Sequence, residues 1–190
     1  MLDMPRGKRD LIKAQALRLF AQHGVDAVSV QDIATACAMA KPNLYAHFRS
    51  KDALVHTLFE EGYRDYAAQM QAALAQPGSF PHRLGRLVRL ICRLHDEDAP
   101  RFRFILMTQH SNLPTAELGE ANPIDIVQAL ITAAINAGEI PRQDPVLLTA
   151  LIVGLVVQPA TFIQYARLPA PLLTHAPAIT KACLRAAAAQ

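Results

Sequence analysis

Lys41 and Lys51 flank a short stretch carrying Asn43, Tyr45 and His47, side chains suited to holding a polyanion rather than to covalent chemistry. The surrounding segment, VSVQDIATACAMAKPNLYAHFRSK from Val28 to Lys51, predicts two short helices, a tight turn and the head of a third helix. Both lysines fall at predicted helix N-termini, where the macrodipole disfavours a cation by roughly 0.3–1 kcal/mol. A cation beside free backbone amides gains if a phosphate fills the space between them. Leu44 and Phe48 face inward at helical spacing, which turns Asn43, Tyr45, Ala46 and His47 outward. A polar and aromatic second helix, braced by a first across so short a turn, fits a helix-turn-helix entering a major groove. Ser29 with Asp32 reads as a capping box at the head of the first of these helices. The expected DNA-contacting set is therefore Ser29, Gln31, Lys41, Pro42, Asn43, Tyr45, His47 and Lys51, and the expected partner is a double-stranded DNA operator.

Charge placement points the same way. The chain carries a net charge of only +3, yet residues 1–52 hold eight Lys/Arg against five acids, while residues 53–190 hold eleven of each sign. The whole excess lies on the segment proposed to meet nucleic acid. Hydrophobic residues make up 52% of the 190 and charged residues 18%, an apolar balance that predicts a buried interface beyond one small core. Strand signals are nearly absent, so the fold class is all-α.

Several helices must position these residues. A first helix is predicted from Lys8 to His23, stopped by Gly24, with a basic arm of Arg6, Lys8 and Arg9 at its head. Ser50 caps a long helix reaching to about Gln76, the mechanical link to the C-terminal helices. From Pro81 to about Asp96 a helix places Arg83, Arg86, Arg89 and Arg93 along one side, expected to be a solvated face. A further helix starts at Asp98-Ala99-Pro100, and Ser111 to Asn122 reads as a polar loop. Asn122-Pro123 and Asp144-Pro145 open two more helices. The second of these has no charge between Asp144 and Arg167 and meets the length of a membrane span. Gln158, Pro159, Gln164 and Tyr165 favour instead a helix central in a bundle and facing a second subunit, with no membrane. A last helix carries Ile179, Cys183 and Leu184 on its inner side.

Residues 9–62 resemble the DNA-binding domain of the TetR family of transcriptional regulators, through the helix ending LFAQHG, the SVQDIA start, the LYAHF core and the SKDAL opening. Two positions depart from the family pattern. Ala38 stands where a turn glycine is usual, and Ala40 where a serine or threonine opens the recognition helix. Pro42 is expected to shift the helix start so that Lys41 becomes its cap residue. The resemblance implies about nine helices: a helix-turn-helix domain over 1–49 and a ligand-binding, dimerising bundle over 50–190. It also implies a homodimer through the last two long helices and a ligand that releases the operator, more often as repressor than activator.

The residues themselves suggest where a ligand would sit. Pro159 should kink its helix and separate its neighbours, opening an apolar pocket for a small hydrophobic effector. Tyr66, Met70, Met107 and Phe162 are its candidate walls, with His95, His110 and Gln158 as polar contacts. A lipid- or acyl-binding bundle with an inactive helix-turn-helix is the alternative. Neither a nucleophile elbow nor a glycine-rich phosphate loop occurs, so no enzyme and no cofactor are expected. Cys37, Cys92 and Cys183 are dispersed, form no CxxC, and read as buried thiols of a reducing cytoplasm. The histidines show no metal-binding spacing.

Overall fold

The computed structural model describes residues 7–112 and 122–189, so Arg6 of the basic arm and most of the polar stretch before Asn122 lie outside the described residues. The chain is all-helical, with nine α-helices and no strand among the described residues. It divides into two compact units, one of Met1–Tyr63 with Ala99–Leu118 and one of Arg64–Asp98 with Gly119–Gln190.

The first unit opens with α1 (Lys8–His23), whose stripe Ile12, Ala16 and Phe20 is fully buried. Gly24 ends it at φ +84 while its amide donates to the carbonyl of Phe20. Next come α2 (Val30–Ala36) and α3 (Lys41–Tyr45), packed on each other with α2 against α1. Their inner faces are Ile33, Ala34, Cys37 and Leu44, all buried as the spacing predicts. Ser50 Oγ accepts the amide of Ala53 at 3.0 Å, capping α4 (Lys51–Leu74), which runs from the first unit into the second. α6 (Ala99–Asn112) lies along α1, with Phe104 stacked on Phe20 at 5.9 Å between ring centroids. Gly62 of α4 is buried; a Cβ there would stand 2.7 Å from Cδ1 of Ile105, so the glycine lets α4 and α6 approach closely.

The second unit holds α5 (Phe80–Glu97), α7 (Pro123–Asn136), α8 (Pro145–Gln164), a short 3-10 helix (Leu172–His175) and α9 (Ala176–Ala188). α5 and α8 pack on α9, and α7 packs on α8. Asn122 and Asp144 cap their helices as the sequence predicts, accepting amides of Ile124 at 3.0 Å and Val146 at 2.8 Å. Asp96 reaches the 3-10 helix, its two oxygens taking the amides of Leu172 and Leu173 at 2.8 Å each. Burial pushes its pKa up, but the bonds from Leu173, from the His95 ring and from Leu172 outweigh that and hold the carboxyl below its ordinary value.

Two expectations fail here. The arginine side of α5 is not simply solvated: Arg83 pairs with Glu139 at 2.6 Å, and Arg86 donates to the carbonyls of Ala73, Gln76 and Pro77. A guanidinium fork is long enough to serve the orphan carbonyls at the end of α4, and that outweighs hydration. Nor is α8 central. Only the stripe Leu148, Thr149, Ile152, Val156 and Ala160 is buried, and Val146, Leu147, Leu151 and Phe162 stay exposed. Among the described residues α8 alone is both long and apolar enough to cross a membrane.

Candidate nucleic-acid interface

The site is built from the cap of α2, the turn, and the outer face of α3. Ser29 and Asp32 form the complete capping box: Ser29 Oγ accepts the Asp32 amide at 3.2 Å, and Asp32 Oδ2 accepts the Ser29 amide at 2.8 Å. The Ser29 hydroxyl also donates to Oδ2 at 2.7 Å, and these bonds lower the Asp32 pKa. The hydroxyl is thus engaged within the cap. Gln31, exposed on the same helix, donates to Thr35 Oγ1 at 3.4 Å.

The turn between the helices is a Schellman cap. The amide of Met39 donates to the carbonyl of Ala34 and that of Ala38 to Thr35, both at 3.0 Å. That geometry puts Ala38 at φ +52, the left-handed conformation glycine usually supplies. Gly138 fills the same position at the end of α7, at φ +71. The recognition helix then starts one residue earlier than its proline suggests. Ala40, extended at φ −73 and ψ 143, is the cap residue, and its carbonyl takes the Asn43 amide at 2.9 Å. Lys41 is therefore the first helical residue rather than the cap. Pro42 tolerates this because its missing N–H would be an orphan in the first turn anyway.

Leu44 is wholly buried, whereas Lys41, Pro42, Asn43 and Tyr45 are exposed and His47 is half-buried. The Lys41 ammonium stands 6.0 Å from the Tyr45 ring centroid. The Asn43 amide is exposed, so its paired donor and acceptor face solvent. Lys51 is placed differently. Its Nζ donates to the carbonyls of Val25 at 2.9 Å and Val28 at 3.1 Å, across the α1–α2 loop. Arg9, read from sequence as part of a basic arm, donates to the His47 carbonyl at 2.7 Å and lies 4.2 Å over the Phe48 ring. Lys13 is also engaged internally, with Glu61 and Asp10, each at 3.1 Å.

The residues suggested for an effector fall in both units. Gln158 and Phe162 line an open groove of about 670 Å³ on the outer side of α8, with Leu151, Leu155, Pro159 and Leu168. Tyr66 and Met70 are buried in the second unit, and the His95 ring nitrogen is 2.9 Å from Asp96. Met107 and His110 are exposed on α6 in the first unit, Met107 beside Gly24, and neither lines the groove. Register explains the difference: α6 turns Phe104, Ile105 and Thr108 inward, which leaves Met107 and His110 outside. The three thiols are free and buried, and burial pushes those of Cys92 and Cys183 up to about 11. Both stay protonated and unreactive near neutrality.

Two short helices about a tight turn, the first closed by a capping box and the second exposing a polar and aromatic face, define a helix-turn-helix motif. The profile of the tetR family of bacterial regulatory proteins matches residues 12–58, which covers this motif and the head of α4. An uncharacterized HTH-type transcriptional regulator of Mycobacterium tuberculosis, Rv1556, is 29% identical over 131 residues, 67% of this chain. The match spans only 62% of that relative's own length. Among solved structures, a regulatory protein in the tetR family from Rhodococcus RHA1 superposes with a TM-score of 0.82 at 20% identity, over 96% of this chain and 98% of the other. The transcriptional regulator FadR from Bacillus subtilis, solved in complex with stearoyl-CoA, gives 0.76 at 17% identity, over 93% and 97%. At such identities these two likenesses concern the fold. Residues 12–58 thus carry the pattern of the DNA-binding module of tetR-family regulatory proteins.

Proposed function

We propose that the protein is a ligand-responsive, DNA-binding transcriptional regulator of the cytoplasm, acting as a repressor. The observation that carries this reading is the face of α3: Leu44 is buried while Lys41, Asn43 and Tyr45 are exposed together beside the α2 cap. Lys41 and Tyr45 suit phosphate, and the Asn43 amide suits a base edge. Residues 1–49 would make the DNA contact, and residues 50–190 would hold effector and dimer.

The exposed apolar side of α8 supports a homodimer. Leu147, Leu151 and Phe162 recur at helical spacing with no charge between Asp144 and Arg167, and an uncovered face of that kind favours a second copy of the chain. A hydrophobic effector accords with the apolar side chains Tyr66 and Met70 buried in the second unit and with the stearoyl-CoA held by one fold neighbour. In this reading effector binding in the second unit is felt at the first through α4, which runs through both.

The test is selection of duplexes from a random pool with the purified protein, followed by titration with long-chain acyl-CoA. Enrichment of a two-fold symmetric sequence, released by the acyl compound, is the expected result. Salt-labile binding without sequence preference, together with a lipid retained in native mass spectrometry, would favour an acyl-binding bundle with an inactive helix-turn-helix.

A further inference from the structure

α3 is five residues long, far below the roughly 12–15 at which a helix holds itself in water, so something else must fix its direction. Its entry is fixed by the Schellman turn through Ala38. Its exit is fixed by two cations acting on backbone oxygens. Arg9 brings the head of α1 to the His47 carbonyl, just past the end of α3, and covers Phe48. Lys51, at the head of α4, holds the carbonyls of Val25 and Val28, the residues that lead into the Ser29 cap of α2. The stretch from His47 to Lys51 thus runs between two anchored points, with Leu44 and Phe48 buried beneath it.

We infer that Lys51 and Arg9 are positioning residues for the recognition helix rather than phosphate contacts. The inference rests on the DNA-binding reading above and changes what part of the basic surface touches the duplex. An ammonium has three N–H donors, and two of those of Lys51 are spent on loop carbonyls, that of Val28 and that of Val25, which also takes the Val28 amide at 3.3 Å. Arg9, though exposed, has its guanidinium engaged by the His47 carbonyl and laid over the Phe48 ring. Phosphate contact then falls to Lys8, Arg18, Lys41 and Arg49, all of them exposed. A tie of this kind affects affinity through the direction of α3 and leaves the number of neutralised phosphates unchanged.

Salt dependence separates the two roles, because the slope of log affinity against log salt falls by about 0.9 for each duplex phosphate that is no longer neutralised. The probe is a duplex selected from a random pool with the unmodified protein, titrated between about 50 and 200 mM salt. Lys41→Met should reduce the slope by about one ion. Lys51→Met should weaken binding by about tenfold or more with the slope unchanged. In the same variant, free of DNA, amide exchange at Val25 to Ser29 should accelerate while the helical circular dichroism is retained. A slope lowered by about one in Lys51→Met would make it a phosphate contact and overturn the assignment. So would unchanged affinity in a folded variant, or unchanged exchange at the loop. If the unmodified protein selects no duplex at all, the DNA-binding reading fails and this assignment with it; the exchange experiment still reports whether the tie exists.

Discussion

α2 with α3 and α8 are opposite solutions to holding a helix. The first pair are short, seven and five residues, with little apolar surface, and polar bonds surround them. A capping box, a Schellman turn and two cation-to-carbonyl ties hold them. α8 is 20 residues long and almost uniformly apolar, yet one chain covers only one stripe of it. The difference shows which parts of the molecule are complete in a single chain. α3 keeps one face open while polar bonds fix its other sides, whereas α8, held by apolar contact along one stripe, leaves an apolar face exposed.

The largest effect should come from the core beneath the helix-turn-helix. Phe20 is wholly buried and stacked on Phe104, so Phe20→Ala should cost about 3–5 kcal/mol in urea unfolding. Duplex binding should be lost with it. A cost below that of an ordinary surface change would mean that α1 and α6 do not share a core.

The second effect should separate the two regions. Leu151 is 51% exposed, so Leu151→Glu should leave the secondary structure of the chain intact while weakening self-association by a hundredfold or more, on the order of 3 kcal/mol. Sedimentation should show a dimer for the unmodified protein and a monomer for the variant. Unaltered association would move the interface away from α8.

A third concerns Asp96, which holds the start of the 3-10 helix before α9. Its carboxyl titrates below the ordinary value when folded, so its contribution is complete above the unfolded pKa of about 3.9 and is lost as pH falls through the folded value. Asp96→Asn keeps one acceptor and should cost about 1–2 kcal/mol at neutral pH. It should also flatten the acid limb of the stability profile, read by thermal melts from about pH 6 downward. An acid limb identical to that of the unmodified protein would show that Asp96 is not the titrating anchor.

The smallest effect lies in the turn. Ala38→Gly relieves a left-handed alanine, worth about 1–2 kcal/mol, against a loss of roughly 0.5–1 in chain entropy. A net gain of about 0.5–1 kcal/mol is expected, without change in duplex specificity. Destabilisation would show that the alanine methyl makes a contact the turn depends on.

These elements also show what a sequence discloses. The caps at Ser29, Ser50, Asn122 and Asp144 join groups two or three residues apart, so composition and spacing suffice to find them. The buried stripe of α1 and the inward Leu44 follow equally from helical period. The cations are not legible in the same way. Lys51 reaches Val28 across 23 residues and Arg9 reaches His47 across 38, and only the packed fold decides whether such a side chain meets solvent, phosphate or a carbonyl. The exposure of Met107 and His110 on α6 is hidden for a related reason, since helical period alone does not say which neighbour a face will meet. The start of α3 at Lys41 is a closer case, because the pre-proline restriction is a preference that the Ala40 carbonyl bond to Asn43 overrides.

The most direct test of whether α3 reads DNA is the effect of Asn43→Ala on base discrimination. The Asn43 amide is exposed on α3 and offers both a donor and an acceptor to a base edge. The measurement is fluorescence anisotropy with the selected duplex and its complete set of single-base variants, at one fixed salt concentration, for the unmodified protein and Asn43→Ala. Discrimination should collapse at one base pair per half-site, by roughly 1–3 kcal/mol, and be retained elsewhere. Equal weakening on every duplex, or no change on any, would contradict the claim that α3 reads DNA.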